Sequence, residues 1–259
     1  MTLKSVSISR ISKANTIAKP VEASEKSTSH AVQKKMGGGR RFSDLPLGVR
    51  HQFEQLKSSI ILGSSAQRIK SILFTSYNHG EGTSTVIANF AESLVQDRKY
   101  KILMVDANTR SPALHQLAGV NNPDDNLVFS DMLTQQIAES DLPKPSPTSN
   151  LSLVPCGSTA YHPSQIFDHT KFSNFINRVT KLFDFVIFDS SPVGKYYDPV
   201  ILASHVDGVI LVVQAEKTPF HELKRANQIL QDGNIPILGA VLNRRRFYIP
   251  QVIFERFLR

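Results

Sequence analysis

Residues 70–90 run Lys70-Ser-Ile-Leu-Phe-Thr-Ser-Tyr-Asn-His-Gly-Glu-Gly-Thr-Ser-Thr-Val-Ile-Ala-Asn-Phe90. The apolar run Ile72-Leu73-Phe74 leads into a turn carrying Gly80 and Gly82. Ser84 and Thr85 follow, and then apolar positions at helical spacing. Glycines let backbone N–H groups wrap a phosphate, a helix start aims more N–H groups at it, and a hydroxyl holds Mg²⁺. This is the layout of a nucleotide-binding P-loop, with Gly80, Glu81, Gly82, Thr83, Ser84 and Thr85 as the binding residues. One part is missing, because Thr83 stands where a phosphate-clamping lysine belongs.

Aspartates accompany the loop. Ile102-Leu-Met-Val-Asp106 and Phe185-Val-Ile-Phe-Asp189 are apolar strands that end in a carboxylate. A third aspartate, Asp207, precedes the strand Val209–Val213. In an open parallel sheet, ligands sit outside the carboxyl ends of the strands, so Asp106 and Asp189 would face the phosphates. One could hold Mg²⁺, together with the Ser84 hydroxyl, and the other could orient or deprotonate an attacking group. Taken alone, each could instead cap the next helix.

Elements must position these groups. The pattern from residue 70 onward predicts strands at 70–75, 101–106, 151–155, 184–189, 207–213 and 236–242. It predicts helices at 84–97, 163–181, 197–205 and 218–231. Several strands are Val/Ile/Leu-rich without alternation, as strands buried on both faces should be. The alternation specifies an α/β chain, a P-loop NTPase-like mostly parallel sheet with helices on both faces. Residues 46–61 have helix-like spacing as well. Residues 141–150 form a Pro-rich connection, and 249–259 could make a short apolar-faced helical tail.

The chain of 259 residues has a net charge of +8 that is unevenly spread. Residues 1–50 hold ten Lys/Arg against three Asp/Glu, and the remainder holds 20 against 19. Residues 1–45 are therefore expected to be a disordered basic arm, and 46–259 the P-loop domain with its tail. Such an arm suits either contact with an anionic membrane surface or a plain solubilising role. A nucleic-acid role has no support beyond this charge. A single cysteine, Cys156, excludes a disulfide framework and fits a reducing compartment. No apolar run approaches the roughly 18 residues of a membrane span, and no signal peptide is evident.

Read together, these segments resemble the bacterial tyrosine kinases. Ser76–Ala91 resembles their Walker A segment, Val105–His115 their Walker A′ and Phe183–Val193 their Walker B. Val154–Gly157 with His162–Phe167, and Val241-Leu-Asn243, match further segments in collinear order. The resemblance implies ATP or ADP with Mg²⁺ as cofactor, Asp106, Asp189 and Arg110 as catalytic groups, and Ser84, Asp106 and Asp189 at the metal. It places Asn243 where related ATPases contact adenine, although a bland turn fits that residue equally well. It implies a cytoplasmic chain, peripheral at the inner face of the bacterial plasma membrane. Its partner there would be a membrane-spanning polysaccharide co-polymerase controlling exopolysaccharide or capsule synthesis and export, and homo-oligomers occur in the family.

Departures from the family pattern bear on activity. A charge-assisted hydrogen bond is worth about 1.5–3 kcal/mol, so loss of the lysine weakens nucleotide binding roughly 10- to 100-fold. Lys195 or Arg110 could reach in as a replacement. Asn108 replaces the second Walker A′ carboxylate, and the tail carries one tyrosine, Tyr248, rather than a cluster. His51, Glu54 and Lys57 stand where the ring-forming helix has its charged triad. The sum favours a degenerate, weakly active or inactive regulatory subunit. The alternatives are an active tyrosine autokinase and a Min/Par-type positioning ATPase. The last is disfavoured because Ser76-Tyr77-Asn78 lacks an early P-loop lysine.

Overall fold

The computed structural model describes residues 5–9, 42–67, 69–117, 128–134, 142–143, 149–157 and 169–245. A seven-stranded sheet has the order β1 (Ser5–Ser9), β7 (Ile237–Arg245), β6 (Gly208–Gln214), β2 (Ser71–Ser76), β5 (Phe185–Asp189), β3 (Ile102–Asp106), β4 (Leu151–Val154). Six strands are parallel, and β1 pairs antiparallel with β7 at the edge. The helices are α1 (Leu47–Gln67), α2 (Thr83–Val95), α3 (Leu114–Leu117), α4 (Phe129–Thr134), α5 (His169–Leu182), α6 (Asp198–Ala203) and α7 (Phe220–Asp232).

Why the central strands lack polar alternation is visible in how they bury. Ile72, Phe74, Ile102, Met104, Ile187, Ile210 and Val212 face one core, with Phe53, Leu56, Val86, Ile87 and Phe90 of α1 and α2. Leu73, Leu103, Val105, Val186, Phe188, Val209 and Leu211 face the other, with Phe172, Phe175 and Val179 of α5, Leu202 of α6 and Leu230 of α7. Successive side chains on a strand point to opposite faces, so a strand covered on both must be apolar throughout. The layered architecture and all six predicted strands are therefore as expected.

The expected boundary of the arm needs correction. Residues 5–9 lie within the segment expected to be disordered, yet they form β1 and pair with residues 240–245 of β7. Phe42 and Leu45, also within 1–45, are buried in the core shared with Phe53 and Leu56 of α1, and the Phe42 N–H donates to the Glu92 carboxylate at 2.6 Å. Residues 10–41, the tail 246–259 with Tyr248, residues 163–168 and most of the Pro-rich connection lie outside the described residues.

Asp207 serves the opposite end of the sheet from the P-loop. Its Oδ2 accepts from Lys70 N, Ser71 N and Ser71 Oγ at 2.7–2.8 Å, which anchors the start of β2. On α1, Lys57 turns inward to Glu54 at 2.5 Å and Asp97 at 3.1 Å. Burial alone would lower the Lys57 ammonium, but its two carboxylate partners hold it above the usual lysine value. A side chain committed in this way braces α1 on the last turn of α2, where it also donates to the Ser93 carbonyl at 3.4 Å.

Candidate phosphate-binding site

The carboxyl ends of β2, β5 and β3 lie side by side, so three loops meet there. After β2 the chain turns through Gly80 (φ +79°) and Gly82 (φ +91°) into α2. A Cβ on Gly82 would come within 2.3 Å of Asn243 Nδ2, so this position needs glycine for space as well as for its left-handed backbone. Gly82 caps α2 without a side-chain hydrogen bond, leaving the first N–H groups of a 13-residue helix without a side-chain partner at the cap.

The loop is braced from outside by groups whose roles differ from simple ligation. Glu81 is buried, and its Oε2 accepts from the N–H groups of Tyr77 at 3.0 Å and Asn78 at 3.3 Å. Its Oε1 accepts from the Thr218 hydroxyl just before α7. Asn78 Nδ2 donates to Glu222 of α7 at 2.5 Å. Asn243 is buried at the end of β7 and donates from Nδ2 to the Glu81 carbonyl at 2.8 Å. Thus Glu81 and Asn243 shape the loop, and Asn243 is neither a bland turn nor an exposed contact. Thr83, the first residue of α2, is buried, and Thr85 is half-buried with its carbonyl bound by Asn89.

Ser84 Oγ donates to Asp189 Oδ2 at 2.5 Å. Asp189 Oδ1 is buried and has no hydrogen-bond partner. Asp106 is the register neighbour of Asp189 on the adjacent strand. Complete burial pushes the Asp189 carboxyl well above the usual carboxylate range. The Asp106 charge pushes the same way, against the hydrogen bonds from Ser84 and Ser190. Burial likewise pushes Asp106 up to about 6, against donation from Leu114, Asn108 and Ala113. Asp106 Oδ2 accepts from the N–H groups of Ala113 and Leu114, both at 3.0 Å, so this aspartate also holds the start of α3.

These residues fit Mg²⁺ with a polyphosphate. Mg²⁺ takes one or two carboxylates and leaves other positions to phosphates and water. Asp189 offers an unpartnered buried oxygen beside a hydroxyl at the phosphate loop. No cluster of three or more His, Cys, Asp or Glu that could hold a metal occurs among the described residues. Asn108 cannot replace a carboxylate here, because its Oδ1 accepts from Ser191 Oγ at 3.1 Å and Ser111 N at 3.2 Å.

Neither cation considered from the sequence is placed on the loop. Arg110 pairs with Asp198 at 3.3 Å and lies 4.6 Å over the Tyr196 ring. Tyr196 OH in turn lies 3.3 Å from His79 Nε2, so Arg110 approaches the loop only through that ring. Lys195 is exposed. Among the described residues, the cation that hydrogen-bonds to the loop is Arg244, whose Nη1 donates to the Gly80 carbonyl at 2.8 Å. The signal that could have found it is its place directly after Asn243. β7 runs on through Arg245.

A phosphate loop on a parallel sheet, faced by paired carboxylates, defines a P-loop ATPase-like α/β protein. The AAA domain family model matches residues 69–232. CapB of Staphylococcus aureus is 30% identical over 196 residues, covering 76% of this chain and 84% of CapB. The tyrosine-protein kinase CpsD of Streptococcus agalactiae is 28% identical over 199 residues, covering 74% and 82%. Among solved structures, the chimeric protein CapA2B2 matches with a TM-score of 0.69 at 27% identity, over 77% of this chain and 86% of that one. The cell division ATPase MinD of Pyrococcus furiosus matches less well, with a TM-score of 0.54 at 25% identity over 66% and 70%. The chain belongs to the bacterial tyrosine kinase family of P-loop proteins.

Proposed function

We propose that this chain is a nucleotide-binding regulatory subunit with weak or no kinase activity, working in exopolysaccharide or capsule synthesis and export. Its nucleotide is ATP or ADP with Mg²⁺, held by the backbone of residues 80–85, the Ser84 hydroxyl and Asp189. Its partner is a membrane-spanning polysaccharide co-polymerase, on whose cytoplasmic end it docks. The observation carrying the reading is the Ser84–Asp189 pair with its unpartnered Oδ1, retained beside a loop whose lysine position is Thr83. The membrane partner rests on family membership. No helix among the described residues is long and apolar enough to cross a membrane, so docking would run through a protein or lipid surface.

The chemistry supports separating binding from transfer. Backbone N–H groups and a helix start bind phosphate in the ground state without a lysine. Charge developing on the transferred phosphoryl group needs cations placed on it, and that is where loss of the lysine is felt most. Bound Mg²⁺ would neutralise phosphate charge. Asp189 would hold the metal directly or through water, and its Ser84 contact would fix its orientation. Asp106, tied to α3, would set the second loop and contribute negative charge at the metal.

The test is phosphotyrosine formation with ATP and Mg²⁺ by the full chain and by Thr83→Lys. Phosphotyrosine absent or slow in wild type and increased in Thr83→Lys supports the reading. Formation equally fast in both, abolished by Asp189→Asn, establishes the rival active autokinase.

A further inference from the structure

We propose that Arg244 supplies the positive charge that position 83 lacks, binding the phosphates of the nucleotide from the end of β7. The inference rests on the nucleotide reading above and names the group that makes such binding workable. Pairing between β6 and β7 ends at Gln214 and Asn243. The next residue, Arg244, takes a left-handed backbone conformation with φ +60°. An L-residue other than Asn or Asp seldom adopts this, and here it turns the side chain off the strand and over the P-loop. Nη1 donates to the Gly80 carbonyl at 2.8 Å and to Gln214 Oε1 at 3.2 Å. Nε lies 3.8 Å from the point a Cβ on Gly82 would occupy.

The guanidinium is thus held against both glycines of the loop by neutral oxygens. Among the described residues no carboxylate pairs with it, and Nε and Nη2 make no hydrogen bond. Arginine carries five donors in a fixed fork suited to phosphate, so the unused donors remain for a ligand. Arg110 differs, since its charge is met by Asp198 and its face by Tyr196. A charge placed at the rim of the loop rather than inside it would attract bound phosphates without tracking the phosphoryl group in flight. That would keep affinity while leaving transfer slow.

The test is calorimetric titration of the full chain with ADP–Mg²⁺ for wild type, Arg244→Gln, Arg244→Lys, Thr83→Lys and the Thr83→Lys/Arg244→Gln double variant. Thermal melts verify folding, and Gln can still donate to the Gly80 carbonyl. We expect Arg244→Gln to weaken ADP roughly 10- to 100-fold and Arg244→Lys to retain much of the affinity. Thr83→Lys should gain more in the Arg244→Gln background than in wild type, because the two cations serve one ligand. Adenosine binding should not change in Arg244→Gln. Equal ADP affinity in wild type and Arg244→Gln overturns the proposal, as does a Thr83→Lys gain that is the same in both backgrounds. If only Thr83→Lys binds, the site is a phosphate site and the Arg244 role falls alone. If no variant binds, the nucleotide reading falls with it.

Discussion

Asp189 is where residue-scale chemistry is most exposed to test. A carboxylate buried beside Asp106, with one oxygen on Ser84 and the other unpartnered, costs stability in the apo protein. Asp189→Asn should therefore hold or raise the melting temperature at pH 7 while abolishing the Mg²⁺ dependence of ADP binding. Melting and titration with and without Mg²⁺ check both. Asp106 gives a pH prediction with a definite sign. Its folded-state value is raised to about 6 from 3.8, so between those values the folded chain binds more protons than the unfolded. Stability from this group improves as pH falls from 7 toward 4, and its cost is fully present above about 6. Relative to Asp106→Asn, apo wild type should gain melting temperature as pH drops through about 6. Affinity for ADP–Mg²⁺ should fall over the same interval, because the metal requires the ionised carboxylates.

At the scale of elements, the loop is held by β7 and α7 as much as by its own glycines. Gly82→Ala would place a methyl on Asn243 and force an L-residue to φ +91°. The backbone term alone is about 1–2 kcal/mol, so melting should drop by several degrees and nucleotide affinity should fall with it. Glu81→Ala strips the Tyr77 and Asn78 N–H groups of their acceptor and unties Thr218. Each unsatisfied buried donor costs about 1–3 kcal/mol, so hydrogen exchange should rise at residues 77–82 and at the start of α7. The strands, their order of occurrence and the helix-starting loop were legible in the sequence because apolar runs between turns carry them directly. Asp106 and Asp189 were legible because each ends such a run. The brace from Glu81 to Thr218 spans 137 positions and that from Asn243 to Glu81 spans 162, distances at which no local pattern operates. Arg244 was hidden for the same reason, since only its left-handed backbone near the end of β7 aims it at Gly80.

Across the whole molecule, residues 5–9 are part of the sheet. β1 covers the edge of β7, the strand that carries Asn243 and Arg244. Removing residues 1–9 should expose that edge, lower the melting temperature and weaken nucleotide binding, whereas a purely solubilising arm would leave both unchanged. Exposed strand edges also pair with other chains, so the truncated protein should associate more readily, as light scattering would record. This segment was hard to read as a strand because Ser5-Val-Ser-Ile-Ser9 is short, polar and far in sequence from its partner. On the function proposed above, the phosphate site with its altered cation would make the chain a nucleotide-responsive subunit of a polysaccharide export system. Calorimetric titration of the full-length wild type with ADP–Mg²⁺, beside Thr83→Lys, tests this most directly. Wild type should bind measurably, and Thr83→Lys more tightly. Absence of binding by both proteins would contradict it.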